Sequence, residues 1–249
     1  MQLLVLSDLH IRADSDPLYF SLIRVIRDQA QPGDVVVLAG DIFDLFVGGK
    51  NLFFKRYSEF TEAIRHALAK GVHIHYIEGN HDFQLRRAFK GFQKFEVHPH
   101  HMSLELGGKR FLIEHGDTVD RTDYGYLTLR TIFRSLPLRA LIRAVPGEVV
   151  DVIGQNFSKL SQMTKPRVPT TLPIYRMERV RKVFRSYAAE KLTQGYDFVI
   201  MGHCHDLDEM RFQIDGRSGH YMNVGYPRNH RSFVHWETGE KELTRKPLV

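Results

Sequence analysis

Apolar residues are concentrated in five short runs along this chain. The runs cover residues 3–6, 35–39, 74–77, 111–113 and 198–201. Runs of this kind are typical of strands that are buried on both faces, as in a parallel sheet covered by helices. The pattern therefore predicts a set of buried strands at the centre of the fold.

Helical periodicity occupies the intervals between the first runs. Residues 18–30 have apolar side chains at helical spacing, and Asp16 with Pro17 predicts an N-cap followed by the first helical position. Residues 52–70 predict a second helix, which Gly71 closes in the position that favours a left-handed backbone. Strands that alternate with helices in this way predict an α/β fold with helices on the faces of its sheets.

Shorter strands are predicted in the second half of the chain. Two of them flank Gly107-Gly108, a two-residue hairpin signal. Residues 209–214, 221–224 and 232–236 predict short antiparallel strands.

The interval from about residue 120 to 192 has a different pattern. Apolar residues recur at helical spacing, Pro137 and Pro146 are expected to interrupt the helices, and residues 176–192 predict a final helix. We interpret this interval as a helical cap inserted into a single domain that spans residues 1–249.

Charge is unevenly distributed along the sequence. The net charge is +6, but residues 130–191 contain 13 Lys and Arg against 4 Asp and Glu, a local +9 that leaves −3 elsewhere. The basic segment predicts a local anionic partner. A single cysteine, no signal-peptide pattern and no long apolar run predict a cytoplasmic protein.

A short polar motif follows each of the five apolar runs. The motifs are Asp8-Leu9-His10, Gly40-Asp41, Gly79-Asn80-His81-Asp82, His115-Gly116-Asp117 and Gly202-His203-Cys204-His205. Parallel strands place their C-terminal ends at one edge of a sheet, where α/β folds bind ligands. Carboxylate, imidazole and amide groups gathered there suit two divalent cations.

The spacing suggests how seven ligands divide between two ions. Asp8 and His10 are two residues apart and would point to the same side of a continuing strand, as would His203 and His205. A single short motif is weak evidence, because a lone histidine is more often structural, but five at successive strand ends predict a dinuclear centre. We assign one ion Asp8, His10, Asp41 and His205, and the other Asp41, Asn80, His115 and His203.

The order of these motifs resembles the calcineurin-like metallophosphoesterase superfamily over residues 6–206. The resemblance implies a four-layer αββα sandwich with two bound metals, Mn²⁺ in first place and Fe or Zn as alternatives. It also implies that His81 contacts the substrate phosphate or protonates the leaving group, oriented by Asp82. A hydrogen bond between these two side chains would favour the imidazolium form of His81.

Within the superfamily, the chain resembles the UDP-2,3-diacylglucosamine pyrophosphohydrolases of lipid A synthesis. His115-Gly116-Asp117-Thr118, Asp123, Gly125-Tyr126 and Arg130 carry this resemblance, together with the helical insertion. It implies a nucleotide-sugar site at Asp123, Tyr126, Asn156 and Lys165. One departure is His81, where the best-known branch has Arg, so a second branch and a relative with another phosphoester substrate both stay open.

The resulting prediction is a hydrolase that cleaves the pyrophosphate bond of a lipid nucleotide to a lipid phosphate and UMP. The basic and apolar cap is expected to hold the diphosphate and acyl chains and to contact an anionic membrane at the cytoplasmic face of the inner membrane. Alternatives are a soluble phosphodiesterase or nucleotide pyrophosphatase, and a non-catalytic scaffold. Nucleic acid is not an expected partner, because the cap lacks aromatic residues interleaved with basic ones, and the oligomeric state is open.

Overall fold

The computed structural model describes residues 1–47, 51–146, 149 and 174–249, and two mixed β-sheets form their centre. The first sheet has the order β13-β12-β1-β2-β4-β6. Its strands are β1 (Gln2–Leu6), β2 (Val35–Leu38), β4 (His73–Ile77), β6 (Phe95–His98), β12 (Ser232–Glu237) and β13 (Thr244–Pro247). From β1 to β6 the neighbours are parallel, whereas β12 and β13 are antiparallel.

The second sheet has the order β10-β11-β9-β8-β7. Its strands are β7 (His101–Leu106), β8 (Lys109–Glu114), β9 (Phe198–Met201), β10 (Glu209–Ile214) and β11 (Arg217–Asn223). A small two-stranded sheet joins β3 (Phe46–Val47) to β5 (Asp82–Phe83). The prediction that the strand near Tyr221 is purely antiparallel was wrong, because β11 is antiparallel to β10 but parallel to β9.

Seven helices are present in the described ranges. They are α1 (Pro17–Arg24), α2 (Asn51–Arg56), α3 (Ser58–Lys70), α4 (Tyr124–Phe133), α5 (Leu136–Ala144), α6 (Ile174–Thr193) and α7 (Pro227–His230). Asp16 caps α1 by accepting a hydrogen bond from the Leu18 N–H, and Gly71 ends α3 at φ 95°, both as predicted. No helix in these ranges is long and apolar enough to cross a membrane.

Three buried clusters establish four layers. One packs α1 and α3 against the first sheet, one lies between the two sheets, and one packs Phe184, Ala188 and Leu192 of α6 against the second sheet. The order helix, sheet, sheet, helix confirms the predicted αββα sandwich. Helix α6, the last part of the predicted cap, is therefore an outer layer of the sandwich, and we call only α4 and α5 the cap helices.

Three helix boundaries differ from the sequence prediction. Helix α1 continues as a π-helical turn, Val25–Gln29. The single helix predicted over residues 52–70 is divided at Tyr57, whose φ of −113° and ψ of 48° are not helical and whose buried ring packs on Phe43 and Phe53. The predicted interruption at Pro137 is present, but it lies just before the proline: α4 ends at Phe133, Ser135 caps α5, and Pro137 lies in the first turn of α5, where no backbone N–H is needed.

Candidate metal centre

Five strand ends bring the seven predicted ligands together. The motifs follow β1, β2 and β4 of the first sheet and β8 and β9 of the second, whose parallel ends face the same way. We call the seven side chains the metal centre: Asp8, His10, Asp41, Asn80, His115, His203 and His205. Their grouping matches the sequence prediction, while their role as ligands stays a prediction.

One half of the metal centre contains Asp8, His10 and His205. The His205 Nε2 lies 3.3 Å from Asp8 Oδ1 and 3.3 Å from His10 Nε2. One ligand atom from each of the three residues lies within 4.8 Å of the others, so one ion can contact all three.

The other half contains Asp41, His115 and His203, again with ligand atoms within 4.8 Å of one another. The Asn80 Oδ1 lies 3.2 Å from His115 Nε2 and adds a neutral oxygen. The Asp41 Oδ2 is 3.5 Å from His115 Nε2 and 3.8 Å from His10 Nε2. Asp41 therefore lies between the two halves, in the position that a bridging carboxylate requires.

The donor set fits two divalent cations. Two buried carboxylates supply negative charge, four imidazoles suit Mn, Fe or Zn, and the amide oxygen completes a mixed N/O set. The Nδ1 of His115 hydrogen-bonds to the Ala39 carbonyl oxygen at 3.1 Å, so its Nε2 faces the centre without a proton when a metal binds.

The backbone of the metal centre is unusual. Asp8, His10, Asp41, His203 and His205 all have positive φ, between 46° and 68°. This left-handed region is disfavoured for residues other than glycine and is found at sites where the surrounding structure enforces it. The predicted reason for the Asp8–His10 and His203–His205 spacing was wrong, because these residues lie in left-handed turns beyond the strands rather than in extended strands.

Hydrogen bonds hold Asp8 in this conformation. Its carboxylate accepts from the Ser7 hydroxyl at 2.6 Å and from the His203 N–H at 3.0 Å. The motif glycines leave room for the ligands: a Cβ on Gly202 would lie 2.3 Å from Asp8 Oδ2, and one on Gly79 would lie 2.2 Å from Asp41 Oδ1. Glycine at these two positions is thus a steric requirement of the centre.

Electrostatic coupling shifts the pKa of several groups in the metal centre. Burial disfavours the imidazolium of His115, but Asp41 and Asp8 outweigh it and raise its pKa to about 10. Burial raises the pKa of Asp41, but the charge of His115 opposes it and holds this pKa well below the usual range. Burial and the charge of His115 lower the pKa of His203 to about 4. The centre thus favours ionised carboxylates, which are ready to bind cations.

His81 lies beside this centre, with its ring 4.9 Å from that of His10. Its Nδ1 donates to the Asp44 carbonyl oxygen at 2.9 Å, and its backbone N–H donates to Asp41 Oδ1. Burial lowers the pKa of His81, but Asp41 and the Asp44 carbonyl outweigh that effect and raise it. The shift is in the predicted direction, but Asp41 and Asp44 contribute more to it than Asp82 does.

The predicted hydrogen bond between His81 and Asp82 was wrong. The buried Asp82 carboxylate accepts from the backbone N–H groups of Asp41, Ile42 and Gly79 and from the Tyr76 hydroxyl. Burial, with repulsion from Asp41, raises the pKa of Asp82 to about 7. Asp82 joins the loops after β2 and β4, which makes it a positioning residue. The partner of the His81 ring is Asp44, and not Asp82 as the sequence predicted.

The predicted substrate residues are only partly described. Asp123 is exposed and caps α4 by accepting from the Tyr126 N–H at 2.9 Å. The Tyr126 hydroxyl donates to Asp117 Oδ2 at 2.6 Å, and its ring lies 5.7 Å from that of His203. Tyr126 therefore reaches the metal centre, whereas Asn156 and Lys165 lie outside the described residues.

The cap helices are anchored beside the centre by charged pairs. The Arg130 guanidinium donates to the buried Asp117 carboxylate, and Arg134 donates to Glu78 Oε2 at 3.2 Å and to the Gly79 carbonyl at 3.0 Å. These two arginines belong to the basic segment that is expected to hold the diphosphate, but they are already engaged in holding α4 against the loops of the centre.

Two neighbours of the centre were missed in the sequence. Asp44 Oδ1 lies 3.7 Å from His10 Nδ1 and 4.0 Å from His81 Nδ1. The Tyr226 ring stacks on that of His205, with centroids 4.5 Å apart at 12°. Asp44 could have been found from its place three residues after Asp41 in the same motif, but Tyr226 has no local signal, because only the fold brings it to His205.

Comparison with known proteins decides the family. A sequence model described as calcineurin-like phosphoesterase matches residues 1–207. The chain belongs to this family. It is a metal-dependent hydrolase, and divalent metal ions are its implied cofactors.

Relatives of this phosphoesterase include several proteins named UDP-2,3-diacylglucosamine hydrolase. That of Psychromonas ingrahamii is 22% identical over 249 residues, which cover 100% of this chain and 98% of the relative. The protein of Aeromonas salmonicida is 26% identical, and the alignment covers 100% of this chain and 94% of the relative. The protein of Neisseria gonorrhoeae is 29% identical, and the alignment covers 77% of this chain and 80% of the relative. A solved structure of an archaeal phosphodiesterase aligns over 99% of both chains at 15% identity, with a TM-score of 0.46.

Proposed function

We propose that this phosphoesterase hydrolyses the pyrophosphate bond of UDP-2,3-diacylglucosamine, or of a closely related lipid nucleotide, to a lipid phosphate and UMP. The observation that carries the proposal is that α4, whose Tyr126 lies beside His203 of the metal centre, also exposes apolar side chains to solvent. The names of the full-length relatives support the same substrate.

The apolar surface lies on the cap helices. Helix α4 has no buried side chain, and Tyr124 and Leu136 are 76% and 75% exposed. Ile132 and Leu141 are more than half exposed as well. Exposed apolar side chains that lie together are typical of a binding surface, and acyl chains would cover those of the cap helices when the head group lies at the metal centre.

In the proposed catalysis, the two metal ions, His81 and Asp44 have separate roles. Two divalent ions, Mn²⁺ in first place with Fe or Zn as alternatives, would be held by the seven residues and would supply water activation and positive charge for the phosphoryl oxygens. His81, as imidazolium, would stabilise the developing phosphoryl charge or donate a proton to the leaving oxygen. Asp44 would hold the His81 ring in place through its carbonyl oxygen.

The nucleotide-sugar would extend from the metal centre toward α4. Tyr126 is the described residue that supports this direction, because its hydroxyl is fixed by Asp117 and its ring faces His203. Asp123, Asn156 and Lys165 complete the proposed set on the strength of the sequence resemblance alone.

We further propose a peripheral contact of the cap helices with the cytoplasmic face of the inner membrane. The exposed apolar side chains of α4 and α5 support this contact. Arg130 and Arg134 do not add to it, because Asp117 and Glu78 neutralise them. Cosedimentation with anionic and neutral vesicles tests the contact, which is refuted if neither kind of vesicle retains the protein.

A substrate comparison tests the proposed reaction. The protein, reconstituted with Mn²⁺, is assayed with UDP-2,3-diacylglucosamine, UDP-N-acetylglucosamine, an aryl phosphodiester and single-stranded DNA. We expect cleavage of the diacylated substrate to UMP and a lipid phosphate, at a kcat/KM far above those of the others. Preference for the aryl diester or for UDP-N-acetylglucosamine would instead establish a soluble phosphodiesterase or nucleotide pyrophosphatase.

A further inference from the structure

A second cluster of metal-binding side chains lies away from the metal centre. His75 is on β4, and Glu96 and His98 are on the neighbouring parallel strand β6. We call these three residues the edge cluster, because β6 is the last strand of the first sheet. The register pairs His75 with Glu96 and Ile77 with His98, so the three side chains share one face of the sheet.

The distances within the edge cluster approach those of a tetrahedral metal site. The His75 Nδ1 lies 3.1 Å from His98 Nε2, and the Glu96 Oε2 lies 3.9 Å and 3.8 Å from these same nitrogens. Two ligands of one tetrahedral zinc are about 3.3 Å apart, from metal–nitrogen bonds of about 2.0–2.1 Å. The Glu96 side chain is 66% exposed and can make the small remaining movement.

The two imidazoles are in the form that binds metals. Burial and repulsion from His98 lower the pKa of His75 to about 4. Burial also lowers the pKa of His98, with Glu96 opposing and Arg86 and His101 adding to the shift. Both rings are therefore neutral near pH 7, as metal coordination requires. In the absence of a metal, one shared hydrogen between the two nitrogens accounts for their close approach.

Solvent can reach the remaining side of the edge cluster. The side chains of His75 and His98 are 15% and 23% exposed, which leaves a path for an ion and a position for a water ligand. Two imidazoles, one carboxylate and one water form a common zinc coordination set. Nickel and copper favour the same nitrogen ligands.

We propose that the edge cluster binds one late first-row divalent cation, Zn²⁺ in first place, independently of the metal centre. The bound ion would join the edge strand β6 to β4, the strand that leads into Asn80 and His81. Since the ion binds the folded chain, it stabilises that state.

A zinc titration with matched variants tests this proposal. The metal-free protein is titrated with Zn²⁺, and the zinc bound at saturation is measured for the wild type and for His75→Gln/His98→Gln. We expect the wild type to bind one equivalent more than the double variant. Asp41→Asn, which disrupts the metal centre, should still bind this additional equivalent, so failure here and failure of the proposed function are distinguishable.

Two further single variants test the zinc site in case the double variant fails to fold. Glu96→Gln changes an exposed side chain and should weaken the additional zinc at least about tenfold. His66→Gln, an exposed histidine on α3, should leave it unchanged. With Mn²⁺ supplied, hydrolysis by the edge-cluster variants should match the wild type. Equal zinc stoichiometry in the wild type and the double variant, or tight binding that survives Glu96→Gln, would overturn the proposal.

Discussion

The metal centre and the cap helices lie side by side but are built in opposite ways. Asp8, Asp41 and His115 are buried, and left-handed backbone and buried hydrogen bonds hold the strand-end loops around them. No side chain of α4 is fully buried, and the helix is attached through charged pairs and the hydrogen bond from Tyr126 to Asp117. A rigid centre suits one type of reaction, whereas an exposed helix surface can be changed without disturbing that centre.

This difference predicts a separation between chemistry and substrate choice. Changes in the metal centre should reduce the hydrolysis of every phosphoester by similar factors. Changes in the cap helices should affect the diacylated substrate and spare a small aryl diester. Variants of the two regions can therefore confirm or refute the division, and their expected effects fall in a clear order.

The largest effect is expected for Asp41→Asn. The substitution keeps the shape of the side chain but removes the charge that lies between the two halves of the metal centre, so metal content and kcat should both fall, kcat by at least about 10³-fold on every substrate. Metal analysis and steady-state kinetics measure both. Asp215→Asn, at an exposed turn, is the matched control. Retained activity toward any substrate would contradict the assignment.

The next effect is expected for His81→Gln. Loss of the imidazolium should lower kcat by about 10²–10⁴-fold for both the diacylated and the aryl substrate. Metal content should stay at the wild-type value, because His81 is not one of the seven proposed ligands. Unchanged kcat would exclude His81 from catalysis, and lost metal would make it a ligand.

A smaller and selective effect is expected for Arg130→Gln. Without the pair between Arg130 and Asp117, α4 should lose its anchor beside the metal centre. Because the helix then holds the substrate less well in place, kcat/KM for the diacylated substrate should fall about tenfold. The kcat/KM for the aryl diester should stay unchanged, because this small substrate contacts the metal centre alone. Arg211→Gln on β10 removes an exposed ion pair with Glu242 and serves as the control. An equal loss on both substrates would refute the division.

A further selective effect is expected for Ile132→Ser/Leu136→Ser on the cap helices. Partial cover by an acyl chain makes the two apolar side chains contribute about 1 kcal/mol together, so KM for the diacylated substrate should rise about fivefold with kcat unchanged. Met210→Ser, an exposed apolar position on β10, is the control. An unchanged KM would remove these residues from the proposed acyl surface.

The smallest effect lies outside both regions, at His75. Its pKa is about 4 in the fold against 6.5 for the ordinary side chain, so its contribution to stability is present above pH 6.5 and is lost as pH falls toward 4. His75→Gln should therefore reduce the pH dependence of the free energy of unfolding in this window, by about 1–3 kcal/mol. Urea unfolding of metal-free protein at pH 5 and 7 checks it, with His66→Gln as the control. If the free energy of unfolding changed equally between pH 5 and 7 in the wild type and in His75→Gln, the lowered pKa of His75 would be contradicted.

Much of the fold follows from patterns that are local in the sequence. The five apolar runs became β1, β2, β4, β8 and β9, and the caps at Asp16 and Gly71 formed as expected, because strand burial and helix capping depend on neighbouring residues. The mixed pairing of β11 and the helix break at Tyr57 depend on distant partners. No local pattern specifies them.

The metal centre shows the same limit. Its seven residues and their grouping follow from motif order and strand ends. The left-handed turns at Asp8 and His10 do not, because their stability comes from contacts with the loops after β2 and β9. Adjacency in sequence suggested Asp82 as the partner of His81, whereas the turn after β4 directs Asp82 into the core and His81 toward Asp44.

Anomalous diffraction from crystals grown with Mn²⁺ tests the metal centre most directly. We expect two manganese peaks, one on each side of Asp41 and about 3.5–4 Å apart. One should contact Asp8, His10 and His205, and the other should contact Asn80, His115 and His203. A single peak, or peaks that avoid Asp41, would contradict the two-metal centre on which the proposed hydrolysis depends.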